Sequence, residues 1–66
     1  MGLSYLFIEK VYDGLWFVKD GYGIGYGAIV PSATNNREWV FFCYDFAALY
    51  YGFTREAAVQ SWLDSL

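Results

Sequence analysis

Between Tyr22 and Val30 large and small side chains alternate, with Tyr22, Ile24, Tyr26 and Ala28 set against Gly23, Gly25 and Gly27. A period of two is that of a β-strand. Two further segments rich in aromatic and branched residues precede it, Leu3–Tyr12 and Leu15–Lys19, and the joints are Asp13-Gly14 and Asp20-Gly21. Asp-Gly between such segments signals a two-residue hairpin turn, with positive φ at both turn positions. The pattern therefore predicts a three-stranded antiparallel meander. Pro31–Arg37 is a polar loop, and Glu38–Tyr44 reads as a fourth strand whose run Trp39-Val40-Phe41-Phe42 suits burial on both faces. Asp45–Gly52 is either a short helical turn, capped by Asp45 and ended by Gly52, or irregular extended chain; the helical turn is the preferred reading. At the end Thr54 is a natural N-cap, Glu56 suits the first helical turn, and Phe53 is placed to staple onto Ala58. Val59, Trp62, Leu63 and Leu66 then fall at i, i+3, i+4 and i+7 on one helical stripe. The expected fold is α+β: one domain over 1–66, with a four-stranded, mainly antiparallel sheet beginning as a meander and a C-terminal amphipathic helix packed on one face.

Two-residue turns fix a register, and a register fixes the faces. Tyr12 should lie opposite Leu15, Lys10 opposite Phe17, Lys19 opposite Tyr22, Phe17 opposite Ile24 and Leu15 opposite Tyr26. One face then carries Leu6, Ile8, Lys10, Tyr12, Leu15, Phe17, Lys19, Tyr22, Ile24 and Tyr26. The other carries Tyr5, Phe7, Glu9, Val11, Trp16, Val18, Gly23, Gly25 and Gly27. The glycines make a trough on this second face that Trp16 can cross opposite Gly25, so the helix is assigned there, with Trp62 and Leu63 filling it. The first face is left open, and Lys10, Tyr12, Phe17, Lys19, Tyr22 and Tyr26 become the candidate partner-binding residues.

Composition sharpens this picture. At 58% hydrophobic residues the chain is not a disordered one. Seven Tyr, six Phe and three Trp in 66 residues are more apolar surface than so small a domain can bury, which points to a partner or to self-association. No apolar run approaches the roughly twenty residues of a spanning helix. Met1-Gly2-Leu3-Ser4 offers no basic stretch before an apolar core and only a weak myristoylation match, so a cytoplasmic protein is expected.

The sequence offers little chemistry. With no His, neither a Ser-His-Asp triad nor a His-ligated metal site can be assembled, and Cys43 has neither a base to activate it nor a disulfide partner. Cys43 reads instead as a small buried hydrophobe. The spacing of Gly21, Gly23, Gly25 and Gly27 is neither a dinucleotide fingerprint nor a phosphate loop. Asp13 and Asp20 are taken by turns, Asp45 and Glu56 by caps, and Asp64 by a solvated helix face; only Glu9 and Glu38 are left to converge should their strands neighbour. Four Lys+Arg against seven Asp+Glu give a net charge of −3, not the basic footprint of a nucleic-acid binder, and Arg37 and Arg55 read as solubilising. No catalytic residue, metal or cofactor is expected.

The helix opening Gly-Phe-Thr-Arg-Glu-Ala-Ala and closing Trp-Leu, within Gly52–Leu63, resembles that of the sheet-plus-helix arm-binding domain of phage-type integrases, but the basic strand residues such a domain uses on DNA are missing. In size, acidity, absence of His and lack of catalytic groups the chain also resembles the short phage-encoded inhibitors that include anti-CRISPR proteins. That resemblance implies an inhibitor that occludes a surface of a larger host complex. The expected function is a non-enzymatic protein-binding module. A single-stranded nucleic-acid binder using the Tyr/Lys face and a homodimerisation domain are the alternatives; a two-fold dimer joining like faces or sheet edges is expected, and it would move a foreign partner's site to the rim or to the Pro31–Arg37 loop.

Overall fold

In the computed structural model, which describes residues 5–66, the chain forms five strands and one helix: β1 (Leu6–Tyr12), β2 (Leu15–Asp20), β3 (Gly25–Pro31), β4 (Trp39–Cys43), β5 (Leu49–Gly52) and α1 (Arg55–Asp64). All neighbours are antiparallel and adjacent in sequence, so the sheet is a continuous β1-β2-β3-β4-β5 meander. The α+β architecture with one C-terminal helix is that expected. The reading of Met1 to Ser4, and the start of the first strand at Leu3, lie outside the described residues.

The fifth strand corrects the count of four. Asp45–Gly52 is not a helical turn. Cys43 N–H donates to the Ala48 carbonyl at 2.9 Å, and Phe42 pairs with Leu49, Phe41 with Tyr50 and Trp39 with Gly52. The reversal is made by Phe46 at φ 65° and Ala47 at φ 51°. Side-chain-bearing residues other than Asn and Asp seldom adopt this left-handed conformation, so the turn carries none of the usual sequence marks.

The meander also departs from the expected register. Tyr12 does lie opposite Leu15, but Lys10 lies opposite Trp16 rather than Phe17, because Val11 is an extra residue in a bulge. Only Gly14 in that turn takes positive φ, at 90°. The second joint is not a two-residue turn at Asp20-Gly21. Asp20 ends β2, and its Oδ1 accepts from the N–H groups of Tyr22 (2.8 Å) and Ile24 (3.1 Å), which closes a longer loop with Gly23 at φ 84°. Phe17 then lies opposite Ala28 and Trp16 opposite Ile29, while Tyr26 bulges between Gly25 and Gly27. A one-residue slip exchanges the faces of a strand. The inner face therefore mixes the two expected ones: Leu6 and Ile8 of β1 join Trp16 and Val18 of β2, Ile29 of β3 and Phe41 of β4. The glycines are divided in the same way. Phe17 closes over Gly25 where Trp16 was expected, and Gly27 leaves room for the Phe41 ring and the Phe42 carbonyl.

The helix lies across β4 and β5 on the inner face. Thr54 caps it as expected, its Oγ1 accepting from Ala57 N–H at 2.9 Å, and Glu56 stands in the first turn. Ala58, Val59, Trp62 and Leu63 are buried, whereas Leu66 and Phe53 remain exposed, so the stripe ends one turn early. Trp62 is the keystone, with ring centroids 5.2 Å from Phe41 and 5.7 Å from Tyr26. Gly52 permits the close approach, since a Cβ there would meet the backbone of Ala57 and Ala58. Ser61 Oγ ties the helix to the Tyr51 carbonyl at 3.0 Å.

Candidate functional site

One helix covers one face, and among the described residues the other face of the sheet has no second layer. Phe7, Glu9, Phe17, Lys19, Ala28, Val30, Val40, Phe42, Leu49 and Tyr51 alternate with the inner residues and point away from the helix. Aromatic side chains run across it: Phe17 and Tyr44 pack with centroids 6.2 Å apart, and Tyr44 meets Phe42 edge-on at 6.1 Å. Strands with apolar residues on both faces are normally buried on both. Here Phe7, Val30, Phe42, Leu49 and Tyr51 all stay exposed. The two charged side chains among these ten neutralise each other, Lys19 Nζ lying 2.7 Å from Glu9 Oε2.

The face has relief. Val30, Pro31, Val40, Phe42, Leu49 and Tyr51, with the loop that follows Pro31, line an apolar groove of about 490 Å3. At the turn of the β4–β5 hairpin, beyond the Phe42–Leu49 pair, stands Phe46, 100% exposed in a left-handed conformation. Residues in αL cost about 1–2 kcal/mol each, so this turn is a local strain.

The six residues singled out from the sequence do not form one surface. Phe17 and Lys19 belong to the uncovered face. Lys10 faces the helix side by its pairing with Trp16, and it forms an exposed ion pair with Asp13 at 2.6 Å. Tyr12 stands exposed at the first turn, and Tyr22, at 94% exposure, projects from the second. Tyr26 is a correction: it is not on the open face but packs on Trp62, and its hydroxyl donates to Asp20 Oδ2 at 2.8 Å. The cause is the bulge, which turns Tyr26 to the same side as Gly27. Phe42, Leu49, Tyr51 and Phe46 were missed because they lie on or beside a strand that no turn signal announced. The cue that was present is the uninterrupted apolar run of β4, which presents both faces.

Asp20 and Tyr26 are joined by a structural hydrogen bond. Partial burial pushes the Asp20 carboxyl up, but the hydroxyl of Tyr26 and the N–H groups of Ile24, Tyr22 and Gly23 outweigh it, leaving the carboxyl below its ordinary value of 3.8. The same hydrogen bond to Asp20, helped by burial, holds the Tyr26 hydroxyl above its ordinary value of 10.0. Glu9 and Glu38 do not converge, because β2 and β3 separate their strands. Cys43 is buried in the core. Among the described residues no three Cys, Asp or Glu side chains are grouped to hold a metal ion, and no helix is long and apolar enough to cross a membrane.

Arg55 is half-buried and forms no ion pair among the described residues: its guanidinium lies 3.9 Å from the centroid of Trp16 and 5.0 Å from that of Trp39. It closes the sheet's inner face beyond the helix start, with Nε buried and without a hydrogen-bond partner among the described residues. Stacking of this kind contributes about 0.5–2 kcal/mol.

Compared with known protein families, curated proteins and solved structures, the chain matches none of them.

Proposed function

We propose that this chain is a small non-enzymatic protein-binding module that docks another protein surface on the uncovered face of its sheet. The observation that carries this reading is the face itself. Four of the five strands present Phe7, Val30, Phe42, Leu49 and Tyr51 to solvent, and the one Lys and one Glu on the face are already paired to each other. Contiguous exposed apolar surface of this kind is what protein interfaces cover. Acting by occlusion requires no catalytic group, and three of the carboxylates already have structural partners: Asp20 in the Tyr26 hydroxyl and loop backbone, Glu9 in Lys19 and Asp13 in Lys10. An inhibitor that covers a working surface of a larger complex is one form of this function. A stacking platform for single-stranded nucleic acid finds less support, since the chain is acidic and the face is electrically neutral.

Carbene footprinting tests the proposal. The labelled chain is compared in buffer at nanomolar concentration and in an extract of the cells that express it. Protection confined to Phe42, Leu49 and Tyr51 in the extract is the expected result. Equal labelling of these residues in both conditions contradicts the docking face.

A further inference from the structure

We infer that the β4–β5 turn is a hinge through which the terminal block of β5 and α1, Leu49–Leu66, exchanges between two copies of this chain. The inference is independent of the docking face and starts from the turn. Phe46 and Ala47 are consecutive and both left-handed, at φ 65° and 51°. Hairpin turns that need positive φ at two adjacent positions favour Asn-Gly or Asp-Gly, not Phe-Ala. Each such residue weights the closed turn against extended chain by roughly tenfold. Straightening the hinge returns both residues to ordinary extended angles. Little holds the turn closed. Asp45, Phe46 and Ala47 are exposed, Phe46 wholly so. The turn's hydrogen bond, from Cys43 N–H to the Ala48 carbonyl, can be remade with the other copy's Ala48. Tyr44 stays on β3 through its N–H to the Tyr26 carbonyl, so the hinge is Asp45–Ala48. Extended, it spans about 13 Å, enough to carry β5 out of its own sheet into an abutting one.

The vacancy that opening leaves selects its occupant. Without the block, Val40, Phe41 and Phe42 of β4 lose their partners Tyr51, Tyr50 and Leu49. Phe41 and Tyr26 lose the Trp62 ring, and Trp16 loses the Arg55 guanidinium. The same block from a second copy restores every one of these contacts in trans. The area of the uncovered face sets no limit, because the exchanged block covers core and not that face. Closed monomer and exchanged dimer therefore share one core and differ in two respects: the strain released at two hinges, and the entropy of association. Four left-handed residues per dimer favour exchange by roughly ten-thousandfold over an unstrained hinge. Short hinges under strain are the ones that invite exchange. Val59, Trp62 and Leu63 are buried, so the block leaves only when the core opens, and exchange is slow away from the melting temperature.

The test compares the parent with the double variant Phe46→Asn/Ala47→Gly, whose turn accepts positive φ. Isotope-labelled and unlabelled chains of each are mixed at millimolar concentration and held a few degrees below the melting temperature. They are then cooled and separated by size exclusion. The parent should yield a dimer that persists on dilution in the cold. In the labelled–unlabelled dimer the Phe41–Trp62 ring contacts should appear as nuclear Overhauser effects between chains, whereas association through any surface keeps them within one chain. The double variant should melt at or above the parent's temperature, yet dimerise roughly a hundredfold more weakly or worse. Its retained fold separates loss of hinge strain from loss of structure. A parent that forms no dimer, a dimer whose Phe41–Trp62 contacts stay within one chain, or a double variant that dimerises as tightly as the parent overturns the inference. Each of these leaves the docking face standing, because that face is read at nanomolar concentration, where chains do not exchange.

Discussion

The Tyr26 hydroxyl donates to Asp20 Oδ2 at 2.8 Å while Asp20 Oδ1 accepts from the backbone of Tyr22 and Ile24. One carboxylate thus closes the β2–β3 loop and anchors the bulged Tyr26 against Trp62. Its pKa lies below the ordinary 3.8, so the stability it contributes is present above about pH 4 and is lost as the pH falls through the lowered value. The Tyr26 pKa is raised above 10.0, so its contribution is present below that pH and fades as the pH rises through the raised value. Between these limits stability should be flat with respect to both groups. Asp20→Asn should flatten the acid limb of a melting-temperature profile, and an unchanged acid limb would contradict the arrangement.

At Gly27 and Gly52 another stretch of backbone lies close against the glycine. A methyl group at Gly52 meets the Ala57–Ala58 backbone, and one at Gly27 meets the Phe42 carbonyl and the Phe41 ring. Gly52→Ala and Gly27→Ala should each destabilise the fold by about 1–3 kcal/mol in urea unfolding, because rigid backbone cannot move aside. Gly21→Ala, where the nearest atom is 3.8 Å away on the Phe7 ring, is the control and should cost far less.

Arg55 is held by two indole rings and not by a carboxylate. Arg55→Ala should lower stability by about 1 kcal/mol, with the loss persisting in high salt because no exposed ion pair is screened. It should also shift the fluorescence of Trp16 and Trp39. A loss that disappears in high salt would mean that the guanidinium acts through charge at a distance.

Tyr26→Lys separates the expected from the observed placement of that residue. On an open face it would disturb binding and spare the fold. Against Trp62 it brings a charge to the core edge and leaves Asp20 without its hydroxyl donor. Loss of the cooperative melt is the expected outcome, and a native-like melt would return Tyr26 to the surface.

Local signals in the sequence were enough for the Asp13-Gly14 turn, the Thr54 cap, the buried Val59-Trp62-Leu63 stripe and the polar loop, which starts after Pro31 because Pro31 still pairs with Trp39. Each depends on chemistry within four residues, which propensity and capping describe. The faces were not legible, because they depend on parity, and single extra residues at Val11 and Tyr26 reverse it. The fifth strand was hidden by the Phe46-Ala47 turn, whose residues run against its backbone angles. Strain of that kind leaves no composition signal. The candidate surface followed these errors: a sheet face left open to solvent was expected, but its residues were assigned through the wrong register and without β5.

Phe41 and Phe42 are consecutive on β4, one fully buried against Trp62 and the other exposed on the uncovered face. Thermal unfolding of Phe41→Lys and Phe42→Lys, both at submicromolar concentration where association is absent, asks whether the outer face is dispensable to the fold and so free for a partner. Phe41→Lys should show no cooperative transition, since it places a charge in the core. Phe42→Lys should melt within a few degrees of the parent. A Phe42→Lys chain that is as unfolded as Phe41→Lys would contradict the account, because the outer face would then be part of the core.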